Sequence, residues 1–424
     1  MAHRSSAVHA SARLRQTLRR VTGDHVNREV SRIPSVHERM LWGSPVDRGT
    51  VETRRPRGSP AWRCCHGLRT SRLMRVGLIA LPTRRRAGQR DAAVPFGSTV
   101  FVGAGMLAIR CALLARKMGH VIGAALCGDA LLRDWAARAD ILCVANVEEF
   151  SALVNSEPVE WMFSIANPFI LPADVFRRVR RGAFNYHDGP LPRYAGTHAT
   201  SWALLAQETE YAITWHRIDH GVDTGDLVVQ RQVLIGPTDT ALSLTLKYYE
   251  AAVEGFRELL TGLTNGTLAA RSQALANRSY FPGGRRTDAS GSLRWDRSAQ
   301  DLSAMARALE FGLYHSNPLC LPKALLGNDV VTVMCLEPLP RRSGFPAGCL
   351  LEIHPSHWRV ATGTEDVDVW FCSSDGEALD AGALARRSDL DQGDRLPILS
   401  DDEARSITVA HEMLAPRESL ATAA

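Results

Sequence analysis

The chain has 424 residues, of which 45% are hydrophobic, so it is long enough for two or three domains of roughly 100 to 200 residues each. Its longest apolar stretch, residues 98–115, is interrupted by Arg110 and two glycines, which excludes a membrane span of about 20 apolar residues. The nine cysteines form neither a CxxC pair nor a zinc-type spacing, which favours reduced thiols and a cytoplasmic location.

The net charge of +5 is unevenly distributed along the chain. Residues 1–90 hold 20 arginines, no lysine and five acidic residues, a local charge of +15, so the remainder carries −10. An arginine-rich segment could bind nucleic acid or direct the protein to an organelle, but this one lacks interleaved aromatic residues and an amphipathic repeat. We therefore expect residues 1–93 to be a disordered leader, or an over-extended reading frame whose true start lies near Met74.

From residue 98 onward, short β-type runs alternate with helical runs. Strands are predicted at 98–103, 120–126, 139–144, 160–167 and 182–187, and helices at 106–119, 129–139, 146–156 and 171–179. Strands separated by helices of this length pair in parallel, with helices on both faces of the sheet. This part of the chain therefore predicts an α/β fold with a doubly wound, Rossmann-like parallel sheet.

Beyond residue 187 the pattern changes. We predict a helix, two antiparallel strands and a long amphipathic helix, at 197–208, 211–218, 225–235 and 241–263 respectively. A Gly/Arg/Ser-rich linker, a helix capped by Ser298 with Asp301 at its third position, and β-rich runs that indicate a small barrel or sandwich follow between 283 and 372. We place a catalytic domain at 94–280, a β-rich domain at 281–375 and a tail or linker at 376–424.

The stretch FNYHDGPLPRYAG, residues 184–196, places an amide and an imidazole at the end of a predicted strand. Asn185 and His187 are two residues apart, so they share a face at the carboxyl end of a parallel strand, where open α/β sheets bind ligands. Such a pair suits a carbonyl group that becomes an oxyanion under attack. Asp223, in HGVDTGDLVV, could orient the histidine, although each of the three residues taken singly is more often structural.

Three segments in this order, SIANPFILP, GAFNYHDGPLPRYAG and HGVDTGDLV, resemble the formyltransferase family that uses 10-formyltetrahydrofolate and includes methionyl-tRNA formyltransferase. HDGPLPRYAG and TSWAL resemble more closely the formyl-transfer domains at the front of nonribosomal peptide synthetases. The likeness covers residues 98 to about 260 and, more weakly, 285–372, where that family has a small C-terminal β domain.

The resemblance implies a folate-dependent formyltransferase with 10-formyltetrahydrofolate as formyl donor. Asn185 and His187 would stabilise the oxyanion, and the histidine would move protons toward the leaving folate nitrogen while Asp223 orients it. Backbone groups of loops stiffened by proline would recognise the pterin. The implied cofactor-binding residues are Ile165, Ala166, Asn167, Pro168, Ile170, Leu171, Gly189, Pro190, Leu191, Pro192, Asp219, Gly221 and Val222.

The resemblance also implies an amine acceptor, either a small molecule or a carrier-bound aminoacyl or other amine of peptide secondary metabolism. Asp188-Gly189-Pro190 stands where the family commonly has Gly-Ser-Leu, which argues against methionyl-tRNA as acceptor. Residues 393–418 look like a linker into a synthetase, so a synthetase partner is expected, and nucleic acid, a membrane and a metal are not.

Alternative functions stay open at this point. VFVGAGMLA fits the G-x-G-x-x-A pattern, and Asp129 lies where a dinucleotide-binding acid would lie, which indicates an NAD-dependent dehydrogenase as a second hypothesis. A formyltetrahydrofolate hydrolase and a non-catalytic folate-binding module are further alternatives. His216 and His220 could be metal ligands, although a surface or hydrogen-bonded role is favoured.

Overall fold

The computed structural model describes residues 98–312, 317, 319–327, 329–373 and 376–414. The predicted leader at 1–93 and the alternative start at Met74 lie outside the described residues. No helix in the described ranges combines the length and hydrophobicity that crossing a bilayer requires.

A seven-stranded sheet in the order β3-β2-β1-β4-β5-β7-β8 forms the centre of the fold. Its strands are β1 (Thr99–Gly103), β2 (Ile122–Cys127), β3 (Leu142–Val144), β4 (Trp161–Ile165), β5 (Gly182–His187), β7 (Glu210–Arg217) and β8 (Leu227–Leu234). The first five pair in parallel, and β7 is antiparallel to both β5 and β8. The predicted α/β fold with a parallel-dominated sheet is confirmed.

Six helices pack with these strands. They are α1 (Gly105–Lys117), α2 (Ala130–Arg138), α3 (Val147–Ser156), α4 (Ala173–Arg177), α5 (Ala199–Leu205) and α6 (Ala241–Asn265). Three of them, α2, α3 and α6, begin after the capping side chains of Asp129, Asn146 and Thr240. Thr240 caps α6 through a reciprocal pair of hydrogen bonds with Ser243. Phe256 of α6 lies fully buried, 5.0 Å from Phe163 between ring centroids, and burial of such a ring contributes about 1.5–3 kcal/mol.

The C-terminal region is rich in β structure, as predicted. A five-stranded antiparallel sheet has the order β10-β11-β14-β13-β12, and β6 (Ala195–Gly196) and β9 (Tyr280–Phe281) form a short parallel pair. The five strands are β10 (Lys323–Leu326), β11 (Asp329–Pro338), β12 (Leu350–Ile353), β13 (Trp358–Val360) and β14 (Val367–Cys372). The helix predicted after Ser298 is α7 (Ala299–Leu309), and the hydroxyl of Ser298 accepts the N–H of Asp301. Buried residues of α7 belong to the cores of both sheets.

The structure differs from the sequence expectation in two C-terminal segments. Residues 376–414, expected to be tail or linker, contain α8 (Ala381–Arg387) and α9 (Asp401–Leu414), and α8 adds buried side chains to the core of the five-stranded sheet. In the expected linker, Ala289 and Ser290 are fully buried, and Ala289 packs with Ala404 of α9. The small side chains of this segment allow α9 to approach it closely. Its small-residue composition therefore reflects packing against α9.

Candidate active site

Asn185 and His187 lie on β5, the last parallel strand before the sheet turns antiparallel. In the pairing with β7, Asn185 lies opposite His216 and His187 lies opposite Thr214. Ser164 of β4 is the neighbour of Asn185 on the other side. Five polar side chains from three adjacent strands therefore meet at one place in the sheet.

The amide of Asn185 is held from both sides. The hydroxyl of Ser164 donates to its Oδ1 at 2.6 Å, and its Nδ2 donates to Nε2 of His216 at 3.2 Å. His216 is 3% exposed, and its Nδ1 donates to the backbone carbonyl of Arg217 at 2.8 Å, which leaves Nε2 as the acceptor. One N–H of the Asn185 amide is thus used, and the second has no partner among the described residues.

The ring of His187 is buried and its tautomer follows from its contacts. Nε2 lies 2.8 Å from the backbone carbonyl of Tyr194, and because a carbonyl only accepts, Nε2 carries a hydrogen. Nδ1 lies 3.5 Å from Oδ2 of Asp223, so the second nitrogen faces a carboxylate. A side chain at Gly189 would place its Cβ 2.7 Å from Nε2, so this glycine leaves room for the ring.

Asp223 connects the two histidines. Its Oδ2 accepts the backbone N–H of Gly196 at 2.8 Å, and its Oδ1 lies 3.4 Å from Nε2 of His216. Burial raises the pKa of this carboxyl, but the neighbouring imidazoles of His187 and His216 and the hydrogen bond from the N–H of Gly196 outweigh that effect. The pKa of Asp223 is therefore well below its ordinary value, and the group is ionised at neutral pH.

The hairpin loop that carries Asp223 is fixed by its own residues. Oδ1 of Asp219 accepts the N–H of Gly221 at 3.1 Å and the hydroxyl of Thr224 at 2.6 Å. A Cβ at Gly221 would lie 2.2 Å from the Thr224 hydroxyl, so only glycine fits there. Val222 is 49% exposed at the tip, and its carbonyl accepts a hydrogen bond from Arg278.

The second predicted cofactor loop, residues 189–192, is tied to the sheet. The hydroxyl of Thr214 donates to the carbonyl of Gly189 at 2.6 Å, and Gln230 donates to the carbonyl of Leu191 at 3.1 Å. These backbone groups are satisfied within the protein. Pro190 and Pro192 are half-buried in the same loop.

The first predicted cofactor loop begins at the end of β4. Ile165 is fully buried in the core, whereas Ile170 is 60% exposed. Ala166 has a left-handed backbone with a φ of 49°, and the side chain of Asn167 closes a turn on Phe169 through bonds of 2.8 and 2.9 Å. In the same loop, Pro168 is exposed and Leu171 is half-buried.

The glycine pattern that suggested dinucleotide binding serves the fold. Oδ2 of Asp129 accepts the backbone N–H of Gly105 at 2.8 Å, and its Oδ1 caps α2 by accepting the N–H of Leu132 at 2.8 Å. A Cβ at Gly103 would lie 2.1 Å from the carbonyl oxygen of Ile165, so that glycine permits close strand packing. In a dinucleotide site the Asp129 carboxylate would bind the ribose and the Gly105 N–H would bind phosphate. Here the two groups are hydrogen-bonded to each other, which argues against the dehydrogenase.

Sequence reasoning did not name Ser164, His216 or Thr214 as site residues. The sequence offers His216 as a metal ligand or as a hydrogen-bonded histidine, and in the structure it is hydrogen-bonded. Its alternation with Thr214 along β7 was the available signal, since residues two apart on a strand share a face.

One protein family and several solved structures are similar to this chain. Residues 145–260 match the model of the formyl transferase family. The fold is similar to that of WlaRD, a sugar 3N-formyl transferase solved with dTDP and 5-N-formyl-THF, with a TM-score of 0.53 and 19% identity over 66% of this chain and 99% of that chain. It is similar to the N-formyltransferase from Helicobacter canadensis solved with folinic acid and dTDP-3-aminofucose, with a TM-score of 0.53 and 19% identity over 65% and 99% of the two chains. The chain therefore has the fold of these formyltransferases, and the residues that match the family model include Asn185, His187 and Asp223.

Proposed function

We propose that the protein transfers the formyl group of 10-formyltetrahydrofolate to an amine. The observation that carries this proposal is the convergence of Asn185, His187 and Asp223 within the segment that matches the formyl transferase family. An amide donor, a buried imidazole and an ionised carboxylate are the groups that acyl transfer to an amine requires.

The loops beside the site fit a folate. The backbone N–H groups of Ile170, Leu171 and Val222 have no hydrogen-bond partner among the described residues. Exposed apolar side chains at Ile170 and Val222 accompany them. A pterin is a flat ring with a polar edge, so unpaired backbone donors next to apolar surface suit it. When bound, 10-formyltetrahydrofolate supplies the formyl group.

The free N–H of the Asn185 amide is the group we assign to the formyl oxygen. This oxygen gains negative charge as the amine attacks the formyl carbon. Because Ser164 and His216 already hold the amide in place, the donor needs little reorganisation when the charge develops. Ser164 and His216 are positioning residues in this scheme.

His187 is the group we assign to proton transfer. Its Nε2 is committed to the carbonyl of Tyr194, so Nδ1 takes the proton that the attacking amine loses and passes it toward the leaving folate nitrogen. The carboxylate of Asp223, 3.5 Å away, stabilises the imidazolium that forms in between. The N–H of Gly196 holds the carboxylate of Asp223 in place beside the ring.

For the acceptor, we propose an amine of peptide secondary metabolism, free or attached to a synthetase partner. The likeness of residues 187–196 to the formyl-transfer domains of peptide synthetases supports this choice. Amino sugars are the second candidate class, because the names of both similar structures describe sugar-related formyltransferases. Hydrolysis of the donor to formate is a further outcome. Release of formate in a reaction without acceptor would distinguish it from transfer.

The donor proposal is tested by thermal unfolding. We expect 5-formyltetrahydrofolate to raise the Tm by a few degrees and NAD to leave it unchanged, because a ligand at a hundredfold excess over its Kd stabilises the folded state by about 2.7 kcal/mol. Stabilisation by NAD without stabilisation by the folate would favour the dehydrogenase instead.

A further inference from the structure

A short segment after β5 supplies the backbone groups that hold both His187 and Asp223. The carbonyl of Tyr194 accepts the Nε2 hydrogen of His187 at 2.8 Å, and the N–H of Gly196 donates to Oδ2 of Asp223 at 2.8 Å. The backbone conformation of residues 194–196 therefore sets the orientation of both side chains.

Two residues of this segment have a left-handed backbone. Tyr194 has a φ of 59°, which is rare for a residue with a side chain, and Gly196 has a φ of 101°. A Cβ at Gly196 would lie 2.2 Å from the carbonyl oxygen of Phe281, so glycine allows the two segments to approach. A left-handed backbone at a residue such as Tyr194 persists only where neighbouring groups hold it.

The groups that hold Tyr194 come from a segment 85 residues further along the chain, next to β9. The hydroxyl of Ser279 accepts the N–H of Tyr194 at 2.7 Å, and the carbonyl of Ser279 accepts the N–H of Ala195 at 2.9 Å. The carbonyl of Phe281 accepts the N–H of Thr197 at 2.8 Å, within the parallel pair of β6 and β9. Ser279 thus binds the peptide groups on both sides of the Tyr194 Cα atom.

The position of the Tyr194 carbonyl matters because two acceptors face the ring of His187. A neutral imidazole carries one ring hydrogen. The carbonyl of Tyr194 faces Nε2 at 2.8 Å, whereas the carboxylate of Asp223 faces Nδ1 at 3.5 Å. While the carbonyl stays at hydrogen-bond distance, the hydrogen is on Nε2 and Nδ1 can accept a proton. If the carbonyl moved away, the carboxylate would attract the hydrogen to Nδ1, and Nδ1 could no longer accept one.

We propose that Ser279 is a positioning residue that sets the tautomer of His187 by holding the backbone of Tyr194. The effect of Ser279 on formyl transfer rests on the proposed function. Ser279 lies beyond residues 145–260, the segment that matches the formyl transferase family, so the family match does not include it. A segment outside the matched one therefore completes the site.

The test is nitrogen NMR of the full chain labelled in its histidine rings, with the signals of His187 assigned through their loss in His187→Ala. At a pH where the ring is neutral, the wild type should carry the hydrogen on Nε2, and Ser279→Ala should shift it partly or wholly to Nδ1. Ser279→Ala should also transfer formyl groups about tenfold more slowly, with an unchanged KM for the donor, since the N–H of Tyr194 loses its acceptor. Ser279→Thr keeps the hydroxyl and should behave nearly as the wild type.

Ser272→Ala is the matched control, because Ser272 is exposed in the chain segment that precedes Ser279 and its hydroxyl donates to Asp226 at 2.9 Å. It should change neither the tautomer nor the rate. A hydrogen that stays wholly on Nε2 in folded Ser279→Ala would overturn the proposal, whatever the rate. A shifted hydrogen with an unchanged rate would support the positioning role of Ser279 and contradict the proton transfer assigned to Nδ1 of His187.

Discussion

Replacement of His187 by alanine should lower the rate of formyl transfer by about 10²- to 10⁴-fold, the usual contribution of a positioned proton-transfer group. Nδ1 of His187 is the atom that takes the proton of the attacking amine, and no other imidazole in the site has a nitrogen free of a short contact for this task. Folate affinity should be nearly unchanged. The measurement is single-turnover transfer of labelled formyl groups, normalised to folded protein.

His220→Ala is the matched control for this experiment. His220 lies exposed in the same hairpin loop as Asp223. Its replacement should leave the rate within about twofold of the wild type, as for most surface substitutions. A normal rate per folded molecule in His187→Ala would contradict the assigned role of the imidazole.

Asp223→Asn should also lower the rate, by about 10²- to 10⁴-fold, because the carboxylate that stabilises the His187 imidazolium is lost. The double variant with His187→Ala should be little slower than either single variant, since groups that act as one unit are strongly non-additive. Asp226→Asn is the control in the same loop, because the Asp226 carboxylate accepts a hydrogen bond from the hydroxyl of Ser272 and lies outside the Asn185–His187–Asp223 set. Independent, multiplying losses in the double variant would show that the two residues do not act together.

The depressed pKa of Asp223 also fixes the sign of a pH effect. A carboxyl whose pKa is lower in the folded state contributes stability above its unfolded pKa of about 3.9, and this contribution is lost as the pH falls toward the folded value. The Tm difference between wild type and Asp223→Asn should therefore be constant from pH 7 to pH 5 and change only below about pH 4. For the same reason, protonation of Asp223 should not lower the rate of formyl transfer as the pH falls from 7 to 5.

Much of the catalytic half could be read from the sequence because its signals are local. Alternation of β-type and helical runs predicted the parallel sheet, and the two-residue spacing placed Asn185 and His187 on one face. The predicted cap Ser298 marked the start of α7, where its hydroxyl accepts the N–H of Asp301. Asp223 could be offered only as a candidate for orienting the histidine, because its distance from β5 depends on how the hairpin loop folds back.

The partners of Asn185 could not be read in this way. Ser164 and His216 lie beside it only because of the strand order β4-β5-β7 and the register of each pair, which a single sequence does not specify.

The C-terminal tail had a local signal that was overlooked. Ser400 and Glu403 form a capping box at the start of α9, in which the Ser400 hydroxyl accepts the N–H of Glu403 and the glutamate accepts the N–H of Ser400. The sequence Ser-Asp-Asp-Glu is the signature of such a start. The likeness of residues 393–418 to a synthetase linker favours a linker instead.

The most direct measurement is the fate of the label when the full chain is incubated with 10-formyltetrahydrofolate labelled in its formyl group, a panel of amines and a control without acceptor. We expect the label to appear in a formylated amine with the wild type, to stay with the donor when no acceptor is present, and to be transferred at least about a hundredfold more slowly by His187→Ala. Release of the label only as formate, whatever amine is supplied, or equal transfer by His187→Ala, would contradict the proposed function.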